Sequence, residues 1–127
     1  MKNDIYWISV PEREAAKAYC QQYFELKSQY LLMDGKKGQA YDGDGVHSGV
    51  SDPTERTAVK RAALARKIAI IEDAARFASP TWWTLILLYI TDSKTDFKKL
   101  QEKGFSLNRN HLSLFARKAY WYVSMRI

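Results

Sequence analysis

Apolar residues recur at helical spacing in five segments of this 127-residue chain, and nowhere do they alternate with polar residues long enough to predict a strand. The pattern therefore predicts an all-α protein. Ala16, Tyr19, Tyr23, Leu26 and Tyr30 follow one another at steps of three and four, which predicts a helix from about Ser9 to Leu32. Its start is marked by Ser9 as N-cap, Pro11 in the first turn, where a missing N–H costs nothing, and Glu12 at the capping-box position. A second start is marked by Asp52, Pro53 and Glu55, and the helix that follows can continue to Ala78. Leu64, Ile68, Ile71, Ala75 and Ala78 form its apolar stripe, widened by Val59, Ala63, Ile70, Ala74 and Phe77, with Arg56, Lys60, Arg61, Lys67 and Arg76 on the remainder. So long an apolar face needs a second long helix or a second subunit to cover it.

Ser79-Pro80 interrupts the chain and predicts a third helix, Thr81 to Thr91, which is apolar on nearly every side and is expected at the centre of the C-terminal core. A short helix follows over Asp96 to Lys103, with Phe97 and Leu100 pointing inward. Gly104 suits the left-handed residue just past its end, which would fold Phe105 back on Leu100. The last helix runs to about Met125 with Asn108 or Ser106 as cap. With Asn108 as cap, Leu112, Phe115, Ala119 and Tyr122 fall on its buried stripe. Residues 34–51 hold five of the six glycines and no periodic pattern, which predicts a loop or linker. The expected division is thus a helix over 1–33, a linker over 34–51, and a helical domain over 52–127.

Charge sharpens this division. Residues 1–52 carry six Lys/Arg and eight Asp/Glu, residues 53–78 six and three, and residues 79–127 eight and three. The net charge of +6 and pI near 9.4 are therefore concentrated in the C-terminal half, and a polyanionic partner is expected there. The longest apolar run, Trp82 to Ile90, is far shorter than the ~20 residues of a membrane span. The start of the chain lacks a hydrophobic signal core, and one cysteine cannot form an internal disulfide, so a cytoplasmic protein without a membrane partner is expected.

Catalytic chemistry finds little support in the sequence. Cys20 fits a small buried hydrophobe. His47 and His111 have no partner at a metal-ligand or nucleophile spacing. Asp42 and Asp44 are spaced like the opening of a calcium loop, but the glycine at its sixth position and the terminal Glu are missing. No metal, cofactor or enzymatic activity is expected.

The order short helix, glycine turn, longer helix, over about 96–125, is that of a helix-turn-helix, whose second helix places its first side chains at base edges. Asn108, Arg109, Asn110, His111 and Ser113 are the candidates for base contact. An arginine can take guanine, and an asparagine adenine, in two hydrogen bonds. Lys98, Lys99, Lys103, Arg117 and Lys118 are the candidates for phosphate contact. An ordinary helical hairpin with a solvated basic face would show the same spacing.

The stretch Leu107-Asn-Arg-Asn-His-Leu-Ser-Leu-Phe-Ala-Arg-Lys-Ala-Tyr-Trp-Tyr-Val123 resembles the recognition helix of the region 4 helix-turn-helix of bacterial sigma factors. Across most of the chain the layout is similar to small phage and prophage proteins of Gram-positive bacteria, the group around the ArpU- and RinA-type late-gene regulators. Three segments carry the likeness: Tyr19-Cys-Gln-Gln-Tyr-Phe-Glu-Leu-Lys27, the loop Tyr41-Asp-Gly-Asp-Gly leading to Ser51-Asp-Pro-Thr-Glu-Arg56, and Ala-Arg-Lys-Ile-Ala-Ile-Ile-Glu72. The resemblance implies a sigma-like regulator that binds double-stranded DNA, with RNA polymerase or phage proteins as further partners. A homodimer would cover the long helix and match a two-part DNA site. The alternative is a phage assembly or packaging adaptor, in which Tyr19, Tyr23, Tyr30, Trp121 and Tyr122 would meet a protein and the C-terminal helices would be structural.

Overall fold

The computed structural model describes residues 5–40 and 52–127. It contains six helices among these: α1 Val10–Cys20, α2 Tyr23–Ala40, α3 Asp52–Ala78, α4 Trp83–Thr91, α5 Phe97–Glu102 and α6 Arg109–Ser124. No strand occurs among the described residues, in agreement with the missing two-residue alternation. No helix among them is long and apolar enough to cross a membrane. They form two compact units, one of residues 5–23 and 70–127, the other of residues 24–40 and 52–69.

The capping box at Ser9 forms as its sequence predicts. The Ser9 hydroxyl accepts from the Glu12 backbone N–H at 3.2 Å, and the Glu12 carboxylate accepts from the Ser9 N–H at 2.9 Å. The single helix expected to continue to Leu32 is instead two. The last turn of α1 tightens, with the Gln22 N–H donating to the Tyr19 carbonyl at 3.2 Å, a three-residue step that ends the α-helical ladder. Beyond the break, the Tyr23 hydroxyl donates to Glu72 Oε2 at 2.6 Å. Burial, and then this bond to a carboxylate and its charge, raise the Tyr23 phenol above its ordinary range.

Helix α2 also continues to Ala40, where the glycine content predicted irregular chain from residue 34. Gly35 and Gly38 each cost a helix about 1 kcal/mol relative to alanine. A helix already nucleated gains one hydrogen bond per added residue, so a cost of that size need not stop it. The rest of the expected linker, 41–51, lies outside the described residues.

In the unit of residues 24–40 and 52–69, Leu26, Leu64 and Ile68 are buried, and the Arg61 guanidinium lies 4.4 Å from the centre of the Tyr30 ring. The predicted stripe of α3 is correct throughout, since Leu64, Ile68, Ile71, Ala75 and Ala78 are all buried. Its predicted widening is only partly so. Ala74 is buried, but Val59 is 70% exposed, because it lies ~140° around the helix from Leu64 at 100° per residue.

In the other unit, α6 packs on α1 and α4, and α1 packs on α4. Ala16 and Cys20 are the buried residues of α1, and Leu112, Ala116, Ala119, Tyr120 and Val123 those of α6. Small side chains on both helices permit a close approach of their axes. Ile86 and Ile90 of α4 are buried with them. The other apolar residues of α4 are only half-buried, so this helix forms a wall of the core rather than its centre. It also starts later than predicted. The Ser79 hydroxyl accepts from the Trp82 N–H at 3.1 Å, holding a turn over 80–82 before Trp83. Arg76 covers the exposed side of Trp83, with its guanidinium 4.2 Å from the ring centre.

Cys20 is fully buried, as its sequence context predicts, and burial pushes its thiol from near 9 up to about 12. Burial also raises the Tyr120 phenol, with the neighbouring Cys20 as second cause. Acids whose pKa is higher in the folded chain release protons first from the unfolded one, so raising the pH favours unfolding. Stability from these groups is complete below about pH 9 and declines as the pH rises toward 12. The urea midpoint is therefore expected to fall steadily from pH 9 to 11, and Cys20→Ala should remove the earliest part of that fall. A midpoint unchanged over this range would contradict the assignment.

Candidate nucleic-acid interface

The C-terminal helices are positioned by one backbone reversal. Asp96 caps α5, its carboxylate accepting from the Lys99 N–H at 2.9 Å. At the other end Gly104 adopts φ +107°, in the region where side-chain-bearing residues are strained. The Gly104 N–H donates to the Gln101 carbonyl at 3.0 Å and the Phe105 N–H to the Leu100 carbonyl at 2.9 Å. These are the two bonds of a Schellman closure. Phe105 is thereby turned into the core, as predicted, and its ring meets Trp82 edge-on at 5.1 Å and Phe97 edge-on at 6.3 Å. Leu100 is fully buried as predicted. Phe97 is half-buried, and the Arg109 guanidinium lies over its ring at 4.7 Å.

Residues 103–108 connect α5 to α6, and Asn108 is the cap. Its side-chain oxygen accepts from the His111 N–H at 3.0 Å and lies 2.9 Å from His111 Nδ1. An amide oxygen can only accept, so the ring contact requires a proton on Nδ1. The first turn of α6 contains no acidic residue, and residues 103–127 carry five Lys/Arg and no Asp/Glu. The N-terminal end of the helix dipole therefore has no local acidic partner in its own turn and favours an anion.

The buried face of α6 differs from the predicted one. Leu112 and Ala119 are buried as expected, but Ala116, Tyr120 and Val123 complete the face, while Phe115 and Tyr122 are half-buried. Ala116 and Ala119 lie on the buried face, and the larger rings of Phe115 and Tyr122 lie at its flanks. Phe115 lies 6.4 Å from the His111 ring and Tyr122 lies 5.3 Å from Phe77. This rotation also turns Leu114 outward, at 37% exposure.

Asn108, Arg109, Asn110, His111 and Ser113 are all exposed. The structure gathers three of them, Asn108, Arg109 and Asn110, around an open cleft of about 520 Å³. Phe97 and Gln101 of α5, with Ser106 and Leu107 of the connection, line the rest. His111 and Ser113 are not among the lining residues. The sequence pattern assigned Phe97 to the core and gave Gln101, Ser106 and Leu107 no functional role. The Gly104 reversal, which brings α5 to the start of α6, was the signal that could have found them.

The candidate cations fall into different environments. Lys98 and Lys103 are exposed on α5 and at its end. Lys99 is exposed, but its ammonium donates to the Lys94 carbonyl at 3.0 Å. Arg117 is half-buried. Lys118 is half-buried, with Nζ 5.4 Å from the centre of the Tyr6 ring and 5.7 Å from that of Phe77. Around Lys118 the rings of Tyr6, Phe77, Trp121 and Tyr122 form one aromatic group.

Among the described residues no three His, Cys, Asp or Glu side chains cluster to hold a metal ion. Asp42, Asp44 and His47 lie outside the described residues. No known protein family, curated protein or solved structure matches the chain.

Two substitutions test the local geometry. A Cβ added at Gly104 meets no atom within 4 Å, so Gly104→Ala is expected to lose only the backbone cost of the left-handed region, roughly 1–2 kcal/mol in urea denaturation. Gly104→Asn should lose less. Asn108→Ala is expected to cost about 1 kcal/mol through loss of the cap, and Asn108→Asp should retain most of it. Thermal unfolding of the pair would show whether Asn108 caps α6 in solution.

Proposed function

We propose that this chain is a DNA-binding protein rather than an enzyme, and that α5, the Gly104 turn and α6 act as a helix-turn-helix with α6 in the major groove. One observation carries this reading. The inner face of α6 is held in the core with α1 and α4, while its first turn exposes Arg109 and Asn110 beside an open cleft. A rigid helix with hydrogen-bonding side chains at its N-terminal end is what direct base readout requires. Arg109 suits guanine and Asn110 suits adenine. Asn108 stabilises the helix as its cap, and Ser113 and His111 flank the contact. Lys98, Lys103 and Arg117 would supply phosphate contacts, with Lys99 joining them if its bond to Lys94 opens. Phage or prophage gene regulation, with RNA polymerase or phage proteins as partners, is the biological setting that the sequence resemblance suggests. A homodimer would present two copies of α6 to a two-part site.

A second reading has its own support in the aromatic group around Lys118. Aromatic side chains are enriched at protein interfaces. In an assembly or packaging adaptor this surface would be the contact, and α5 and α6 would be structural.

A fluorescence titration with mixed-sequence duplex DNA at two salt concentrations separates the two. Three phosphate contacts from each chain of a homodimer, six in all, would give a slope near −5 in log K against log salt, at about −0.9 per contact. The Arg109→Ala, Asn110→Ala double variant should lose sequence preference while remaining folded. No binding by the wild type at low salt would eliminate the DNA reading and direct attention to Trp121, Tyr122 and a protein partner.

A further inference from the structure

Arg109 is an exposed residue at the first position of α6, yet its guanidinium does not project freely. It lies over the ring of Phe97, 4.7 Å from its centre. That ring is in turn fixed edge-on by Phe105, 6.3 Å away, and Phe105 meets Trp82 edge-on at 5.1 Å. Phe105 is set in the core by the Gly104 reversal, through its N–H bond to the Leu100 carbonyl. An unbroken series of contacts therefore connects the backbone turn to the guanidinium at the mouth of the cleft.

An aromatic face attracts a guanidinium through the ring quadrupole and limits the rotamers of an otherwise mobile side chain. A guanidinium stacked on a ring keeps its N–H edges free to donate. Two donors on one edge match the O6 and N7 acceptors of guanine in the major groove. Restricting Arg109 before binding also reduces the entropy lost when it docks.

We propose that Phe97 is a positioning residue that determines specificity. It holds Arg109 so that α6 prefers guanine at one position of its site. This proposal rests on the major-groove reading given above. Phe97 itself touches no base.

The test is a competition assay on a panel of duplexes that varies each base pair of a selected site, using wild type, Arg109→Ala, Phe97→Leu and Phe97→Tyr. Circular dichroism and melting confirm that each variant is folded. The wild type is expected to prefer guanine at one position by at least about fivefold. Arg109→Ala should abolish that preference. Phe97→Leu should reduce it about two- to fivefold, leaving the other positions and the salt slope unchanged, and Phe97→Tyr should restore it. If Phe97→Leu keeps the full preference, or weakens all positions evenly, the proposal is overturned while DNA binding stands. A wild type that binds no duplex overturns both.

Discussion

The packing of α6 on α1 is the constraint on which the C-terminal arrangement depends. The two helices bury small side chains, Ala16 and Cys20 on one, Ala116 and Ala119 on the other. This packing, with that on α4, commits one face of α6 to the core. Once that side is committed, the other positions follow at 100° per residue. Phe115 and Tyr122 take the flanks, Leu114 turns outward, and Arg109 and Asn110 are left at the exposed first turn. A larger residue at Ala119 would alter the orientation of the exposed face as well as stability.

A second constraint acts at the other end of the same helix. Gly104 provides a conformation that other residues adopt at a cost, and the closure it permits sends Phe105 into the core. Packing from α1 thus fixes the rotation of α6, whereas the turn brings α5 to its start. The cleft is formed where the two effects meet, which explains why its lining mixes residues of α5, the connection and α6.

Local signals in the sequence were largely sufficient for the helices. Ser9 with Glu12, Gly104 and Asn108 each act through bonds within a few residues, and each takes the role its chemistry indicates. The α3 stripe was legible because it repeats over four turns. What was not legible depended on partners distant in the chain. The break at Gln21–Gln22 carries no proline or glycine, so composition gave no sign of it. The face of α6 was misjudged because Leu114 and Phe115 are adjacent, and hydrophobicity alone favours Phe115 over Ala116. Ala116 is buried because α6 packs on α1 and α4, elements distant in the chain that no local pattern states. Likewise the position of Arg109 over Phe97 follows from a tertiary turn and not from spacing.

The α1–α6 contact also has a consequence for how the molecule is made. About 90 residues separate the end of α1 from the start of α6, so closing their contact is a long-range event with a substantial loop entropy. On the ribosome, α1 is finished long before its partner helix exists. Completion of the core, and with it the placement of the residues at the start of α6, therefore waits until α6 has been made. Until then a nascent chain lacks the packing that orients the cleft at the start of α6.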